Sequence, residues 1–367
     1  MAGKIALALQ GGGTHAAFSW GVVERLLDRV GAGKIQICAV SGASTGALNA
    51  AAMAYGLREG ADLSGPASAR GKRMAEAAKT KMEELWAAIA RAAFWGGNPY
   101  VAAIGMTPGW NIDDSPAARW ADMTSAGVAS ADASIGVYLN AVLRDVMPQL
   151  PAILAAPVAQ VPSVLVAATE VRECRRQIFV DGAISPEALK ASMCVPAAAN
   201  GIEIAGDLYW DGGYMGNPPL TPLAELAAQE GCCDLVLVSV NPLHRDVAPR
   251  TSRQCLDRLN EITFSASLVH EVNALETLNR LVDAGHLAKS APVKRVNLHR
   301  IHADRAMAGL GIYSKDAPAW DFLQHLRELG HQAFDATWPD IEAALGKRSS
   351  WDTEAICDHV VARGALR

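Results

Sequence analysis

The strongest constraint on how this chain can fold is a unit that occurs twice near its start: a short apolar run, a glycine loop, then a helical pattern. Ile5 to Leu9 runs into Gln10-Gly11-Gly12-Gly13, and Thr14 to Asp28 follows with Ala17, Trp20, Val23 and Leu27 near helical spacing. Ile35 to Ser41 runs into Gly42-Ala43-Ser44-Thr45-Gly46, and Ser44 to Tyr55 reads as a helix of small residues. Both apolar runs are continuous rather than alternating, so these strands are apolar on both faces. A sheet covered by helices on either side is the expected result, which is the layering of an α/β fold.

Later parts of the chain extend this pattern. Strand-like runs return at Ser163 to Ala168, Arg176 to Val180, Leu208 to Asp211, Asp234 to Val240 and around Val293 to Ile301, with a long amphipathic helix predicted over Gln254 to Leu287. Residues 58–160 differ: they are alanine-rich, predicted helical, carry Trp86, Trp95, Trp110 and Trp120, and read as a helical insertion or cap. From Ala317 onward the chain reads as further helix without a chemical signature.

Several function classes drop out on composition. With 50% hydrophobic and 19% charged residues, the 367-residue chain has ample material for a core. Its net charge of -5 and lack of dense basic runs give no field for a phosphate backbone, so no nucleic-acid partner is expected. Seven cysteines, an odd number without a CxxC pair, suggest reduced, mostly buried thiols, no metal site and a reducing, cytoplasmic setting. The apolar N-terminal run is too short for a signal segment. The long uncharged stretch from Val146 to Thr169 is cut by Pro148, Pro151, Pro157 and Pro162, so no transmembrane segment is expected.

Three loops hold the residues with chemical potential. Gly42-x-Ser44-x-Gly46, between a strand and a helix, fits the G-x-S-x-G elbow that lifts a serine above a sheet edge; it also fits an ordinary glycine turn. Gly11-Gly12-Gly13, at the other junction, leaves bare backbone N–H groups that can meet an anion at a helix N-terminus. It suits an oxyanion hole, and Gly11-x-Gly13-x-x-Ala16 also suits a dinucleotide loop. The second reading expects an acidic residue after the second strand, where this chain has Ser41-Gly42-Ala43-Ser44 instead. A serine nucleophile needs a base. Asp211, leaving a strand into Gly212-Gly213, is the sharper candidate; Asp181-Gly182-Ala183 is a second turn of the same kind, and an α/β-hydrolase arrangement would call on His244, His299 or His302.

The glycine triplet, Gly-Ala-Ser-Thr-Gly-Ala-Leu-Asn-Ala after the second strand, and Asp-Gly-Gly followed by Asn217-Pro218 together resemble the patatin-like phospholipases. Ala191-Ser192-Met193-Cys194-Val195-Pro196 resembles that family's approach to its catalytic aspartate, which selects Asp211 over Asp181. The resemblance covers roughly residues 4 to 55 and 160 to 240. It implies a three-layer α/β/α fold with a mostly parallel central sheet and a helical insertion. It further implies a hydrolase domain over 1–310, with 58–160 inserted, and a C-terminal helical extension, 311–367, packed on it. It implies hydrolysis of lipid acyl esters by a Ser44–Asp211 dyad without histidine. Gly11, Gly12, Gly13 and Thr14 would form the oxyanion hole, Gly42, Gly46, Gly212 and Gly213 would support the turns, and neither metal nor organic cofactor would be needed. The partner implied is a lipid or other acyl ester, met through peripheral contact with a lipid surface; the tryptophans of the insertion could seat there or belong to the core. One departure stands out: His15 and Ala16 occupy positions where the family usually has Arg or Lys and then Gly. A non-catalytic lipid-surface binder on the same fold is the alternative that this departure motivates.

Overall fold

A computed structural model describes residues 3–62, 64–66, 69–125, 136–196, 200–286 and 294–357. The end of the expected C-terminal extension, 358–367, and Leu287 at the end of the expected long helix lie outside the described residues.

The core is an eight-stranded sheet of β1 (Gly3–Leu9), β2 (Ile35–Ala43), β3 (Ser163–Glu170), β4 (Arg175–Val180), β5 (Ile202–Ile204), β6 (Asp207–Asp211), β7 (Asp234–Val238) and β8 (Asn297–Ile301). The order is β5-β6-β3-β2-β1-β7-β8, with β4 also paired to β3. β3, β2, β1, β7 and β8 are mutually parallel, whereas β4, β5 and β6 join antiparallel.

Alternation of side chains sorts the strand residues onto two faces. Ile5, Leu7, Leu9, Val236 and Val238 face the helices α1 (Ala17–Gly31), α2 (Thr45–Asp62) and α3 (Arg70–Trp95) and the helix Trp320–Ala344. Ala6, Ala8, Leu235 and Leu237 face Leu223 of the helix Thr221–Gln229 and Leu268, Val272 and Leu275 of the helix Ser252–Asp283. Helices on both faces make three layers, as the continuous apolar strands require. The C-terminal helix lies along α1, tied by Arg327, whose guanidinium Nε and Nη2 reach Glu24 at 2.7 and 2.8 Å.

The helical segment between β2 and β3 joins the core through α2 and one face of α3, while much of the described chain after α3 is exposed. α3 buries Met74, Ala78, Met82, Leu85 and Trp86 against its neighbours, and Trp86 donates to Asn49 Oδ1 at 3.0 Å. The four tryptophans considered as a lipid-facing set therefore divide. Trp86 is interior and Trp110 stacks on Phe322 and His325, while Trp95 and Trp120 are 82% and 63% exposed. Among the described residues no helix is long and apolar enough to cross a membrane.

Candidate active site

The register of β3 explains how two residues far apart in sequence come together. One edge of β3 pairs with β4 along Leu165 to Glu170. A strand has two edges, so β2 and β6 must share the other. On that edge Ala167 pairs with Ala43 at the end of β2, and Ala168 pairs with Asp211 at the end of β6. β2 and β6 thus run head to head along β3. The residue that follows Ala43, Ser44, meets Asp211 where the two strands end.

The backbone of Ser44 is in the left-handed region, with φ of 53°, a conformation that costs energy for a residue with a side chain. Its neighbours show why the elbow needs glycine. A Cβ on Gly42 would lie 2.4 Å from the Gly46 carbonyl oxygen, and one on Gly46 would lie 2.2 Å from that of Leu9. Ser44 N–H is held by Ser192, through both its carbonyl oxygen at 3.1 Å and its hydroxyl at 2.9 Å. Asp211 N–H donates to the Cys194 carbonyl oxygen at 2.7 Å. The Ala191 to Pro196 segment therefore pins both residues from the same side.

Asp211 is fully buried. Its Oδ1 accepts from Gly213 N–H at 2.7 Å. Its Oδ2 has no aligned hydrogen-bond partner among the described residues, although the Ser44 hydroxyl is near enough to favour the ionised form. Desolvation outweighs both contacts and pushes the carboxyl up to about 7. A carboxylate poised near neutrality beside a strained serine can take and return a proton. A Cβ on Gly212 would lie 2.1 Å from the Ala167 carbonyl oxygen, so this turn lies directly on β3. Gly213 lies against Phe264, whose Cδ1 would be 2.6 Å from a Cβ there.

The glycine loop lies over the elbow. A Cβ on Gly11 would stand 2.6 Å from Ser44 Cβ and 2.4 Å from the Ala43 carbonyl oxygen. Gly11 N–H is already engaged, donating to Asn217 Oδ1 at 2.7 Å. Gly12 N–H makes only a long bond to Thr45 Oγ1, at 3.3 Å. Gly13, with φ of 60°, and Thr14 open the short helix Gly13–Ala16, where first-turn N–H groups have no partner within the helix. Thr14 is buried, with its hydroxyl unpaired among the described residues. Of the four loop residues singled out from sequence, Gly12, Gly13 and Thr14 thus have donors to offer, while Gly11 gives close approach.

His15 is buried, and burial together with nearby Lys315 lowers its pKa well below the usual imidazole value. Its Nε2 lies 2.7 Å from the Ser314 hydroxyl. That hydroxyl donates its own proton to the Gly311 carbonyl oxygen at 2.7 Å, so Nε2 must be the donor, and the lowered pKa favours the neutral ring. His15 packs and anchors, and brings no charge to the loop. The three histidines that a Ser-His-Asp arrangement would need are placed elsewhere. His299 is buried between Asp234 and Ser350, and His244 and His302 pair with Asp246 and Asp304. Among the described residues no histidine hydrogen-bonds Ser44 or Asp211, and no group of three His, Cys, Asp or Glu side chains could hold a metal ion.

Sequence reasoning quoted Asn217 as part of a motif but missed its role as the clamp on Gly11. Gln10 and Asn241 were missed outright. Gln10 Oε1 accepts from the N–H groups of Val240 and Asn241, both at 2.8 Å, which ties the loop to the segment after β7. An amide side chain immediately before a glycine triplet was the available signal.

Comparison with known proteins adds one finding. A family model described as patatin-like phospholipase matches residues 7–224, more than half of the chain and the segment that contains the elbow, the loop and Asp211. No curated protein matches the chain.

Proposed function

The chain belongs to the patatin-like phospholipase family, a family of lipid acyl hydrolases, and from that premise we propose that it cleaves carboxylic esters of lipids through Ser44 and Asp211. The observation that carries this reading is the fully buried Asp211, held near neutrality against a serine in a strained elbow. Asp211 accepts the Ser44 hydroxyl proton as Oγ attacks the ester carbonyl. The tetrahedral oxyanion is received by the N–H groups of Gly12 and Gly13, with Thr14 beside them. Collapse breaks the ester C–O bond, the leaving alcohol takes the proton from Asp211, and an acyl-serine remains. Water then gives a proton to Asp211 and its hydroxyl to the acyl carbon, which releases the acid and restores Ser44.

Gly42, Gly46, Gly212 and Gly213 serve this chemistry by allowing backbone contacts that a methyl group would block. No metal or organic cofactor takes part in these steps. The domain reading that accompanies the mechanism is a hydrolase unit over 1–310, with 311–367 packed on it, in a cytoplasmic protein that meets its substrate at a lipid surface.

The test is labelling with a fluorophosphonate probe together with hydrolysis of short- and long-chain p-nitrophenyl esters. The wild type is expected to label at Ser44; Ser44→Ala abolishes labelling and turnover, and Asp211→Asn lowers both by about 10²–10⁴. A wild type that neither labels nor hydrolyses any ester returns the fold to the lipid-binding alternative. For the surface contact, liposome flotation of the wild type against a Trp95→Ser, Trp120→Ser double variant is expected to separate the two.

A further inference from the structure

Beyond the dyad lies a charged residue that no motif announces. Lys315 sits in the short helix Ile312–Asp316, with its Nζ 2.9 Å from Asn241 Oδ1 and 2.7 Å from Asn260 Oδ1. Asn241 Nδ2 in turn donates to the Gly11 carbonyl oxygen at 3.2 Å. The orientation of this amide follows from chemistry. An ammonium only donates and a carbonyl only accepts, so the oxygen must face Lys315 and the nitrogen Gly11. The Gly11 carbonyl belongs to the same peptide unit as Gly12 N–H. A continuous line of hydrogen bonds therefore runs from a cation to one of the loop's donors, and in such a line each bond polarises the next. Lys315 also touches the loop directly: its own carbonyl oxygen would lie 2.4 Å from a Cβ on Gly13.

We propose that Lys315 is a positioning residue for ester hydrolysis, whose ammonium acts through Asn241 to orient and polarise the Gly11–Gly12 peptide that receives the oxyanion. This rests on the Ser44–Asp211 reading. It gives the glycine loop a positive charge that His15, neutral and bonded to Ser314, does not provide. The charged groups around Lys315 come from several elements: Glu261 and Asp257 from the helix Ser252–Asp283, Arg245 after β7, Asp316 beside it in the chain, and His15 across the loop. Burial brings the ammonium down to about 8, opposed by the carboxylates of Glu261, Asp316 and Asp257. The relay is therefore mostly charged at neutral pH and is lost on the alkaline side.

Removing an oxyanion donor outright costs roughly 10²–10³ in kcat, and losing the polarisation of one is expected to cost about tenfold. The experiment measures kcat and KM for p-nitrophenyl butyrate from mildly acidic to strongly alkaline pH in the wild type, Lys315→Met, Lys315→Arg and Ser44→Ala. Lys315→Met is expected to lower kcat at neutral pH by about tenfold with little change in KM, and to lose the alkaline decline. Lys315→Arg keeps its charge and is expected to retain most of kcat, with activity persisting to higher pH than in the wild type. Wild-type kcat and an unchanged alkaline decline in Lys315→Met overturn the relay while Ser44→Ala, still inactive, leaves the dyad standing. A change in KM alone also overturns it. If Lys315→Met does not fold, judged by loss of a cooperative thermal transition, Lys315→Arg decides: an alkaline limb in the wild-type position overturns the proposal. A wild type without turnover or Ser44 labelling removes the dyad and the relay together.

Discussion

Two aspartates in this chain leave a strand into a glycine: Asp211-Gly212-Gly213 after β6 and Asp181-Gly182-Ala183 after β4. Both strands pair antiparallel with β3, yet they end at different places along it. Asp211 pairs with Ala168 toward the C-terminal end of β3, where Ser44 follows β2. Asp181 accepts from Val164 N–H at 2.8 Å at the start of β3, roughly 13 Å away along the strand at its usual rise. The surroundings differ accordingly. Asp211 is sealed from water, with no aligned partner for one oxygen among the described residues, while Asp181 keeps partial solvent contact and an arginine, with Arg58 Nη2 at 3.9 Å. The same dipeptide is a candidate base at the edge where the parallel strands end and the helix N-termini begin, and a turn staple at the other edge. Position on the sheet, rather than the dipeptide, separates the two.

The sharpest way to break this comparison is to remove each charge. Asp211→Asn is expected to lower kcat/KM by about 10²–10⁴, the range for a general acid–base group, while Asp181→Asn leaves it within a few-fold of wild type. Assays on a soluble p-nitrophenyl ester check both, and equal losses would erase the distinction. The pH profile follows from the same environment. As the proposed base, Asp211 would have to be ionised to take the proton, so wild-type kcat/KM is expected to fall about tenfold per pH unit below about 7. Stability moves the other way. Burial raises the folded pKa of Asp211 above the unfolded value, so between 3.8 and about 7 the native state holds a proton that the unfolded chain has released, and stability falls as pH rises. Asp211→Asn removes that penalty. It is expected to melt higher than wild type above neutrality, with the difference vanishing in acid, whereas Asp181→Asn, whose amide oxygen still accepts from Val164 N–H, is expected to melt close to wild type at every pH.

The choice between these aspartates was partly legible beforehand, because Ser192 and Pro196 lie just upstream of Asp211 and resemble a family pattern. Continuous apolar runs also exposed the three layers, since β1 and β2 must be covered on both faces. What stayed hidden was whatever depends on the chain returning from a distance. Asn241 and Lys315 lie beyond the matched segment, in surroundings without periodicity or motif, and acquire meaning only when β7 and the C-terminal segment bring them against Gly11 and Gly13. The helical segment before β3 misled in the other direction. Trp86 and Trp95 look alike in an alanine-rich stretch, yet Trp86 lies on the inner face of α3 and Trp95 at its exposed end.

Glycine substitutions sharpen the contrast at smaller scale. An alanine methyl at 212 would meet the Ala167 carbonyl oxygen at 2.1 Å, so β3 or the Asp211 turn must move. Gly212→Ala is expected to cost about 2–4 kcal/mol of stability and at least tenfold in kcat. At 182 the nearest atom is the Ala155 methyl, 2.7 Å away on a short helix that can shift. Gly182→Ala is expected to cost about 1 kcal/mol and leave kcat unchanged, as urea unfolding and ester assays would report. Loss of activity at 182 would mean that the two turns communicate through β3.

The smallest effect concerns the arginine that distinguishes Asp181. Arg58 is 6% exposed, but its guanidinium is held chiefly by the carbonyl oxygens of Leu154 at 3.1 Å and of Ala54 and Ala156, both at 3.3 Å. Asp181 is a fourth, more distant partner and already satisfies Val164 N–H. The ion pair should therefore contribute little beyond these bonds. A double-mutant cycle of Arg58→Met and Asp181→Asn, read by urea unfolding, is expected to give a coupling of about 0.5 kcal/mol, although Arg58→Met alone costs several-fold more by removing three hydrogen bonds to carbonyl oxygens. A coupling well above about 1 kcal/mol would show that Asp181, like Asp211, depends on a specific charged partner. The two aspartates would then differ in the partner they hold rather than in whether they need one.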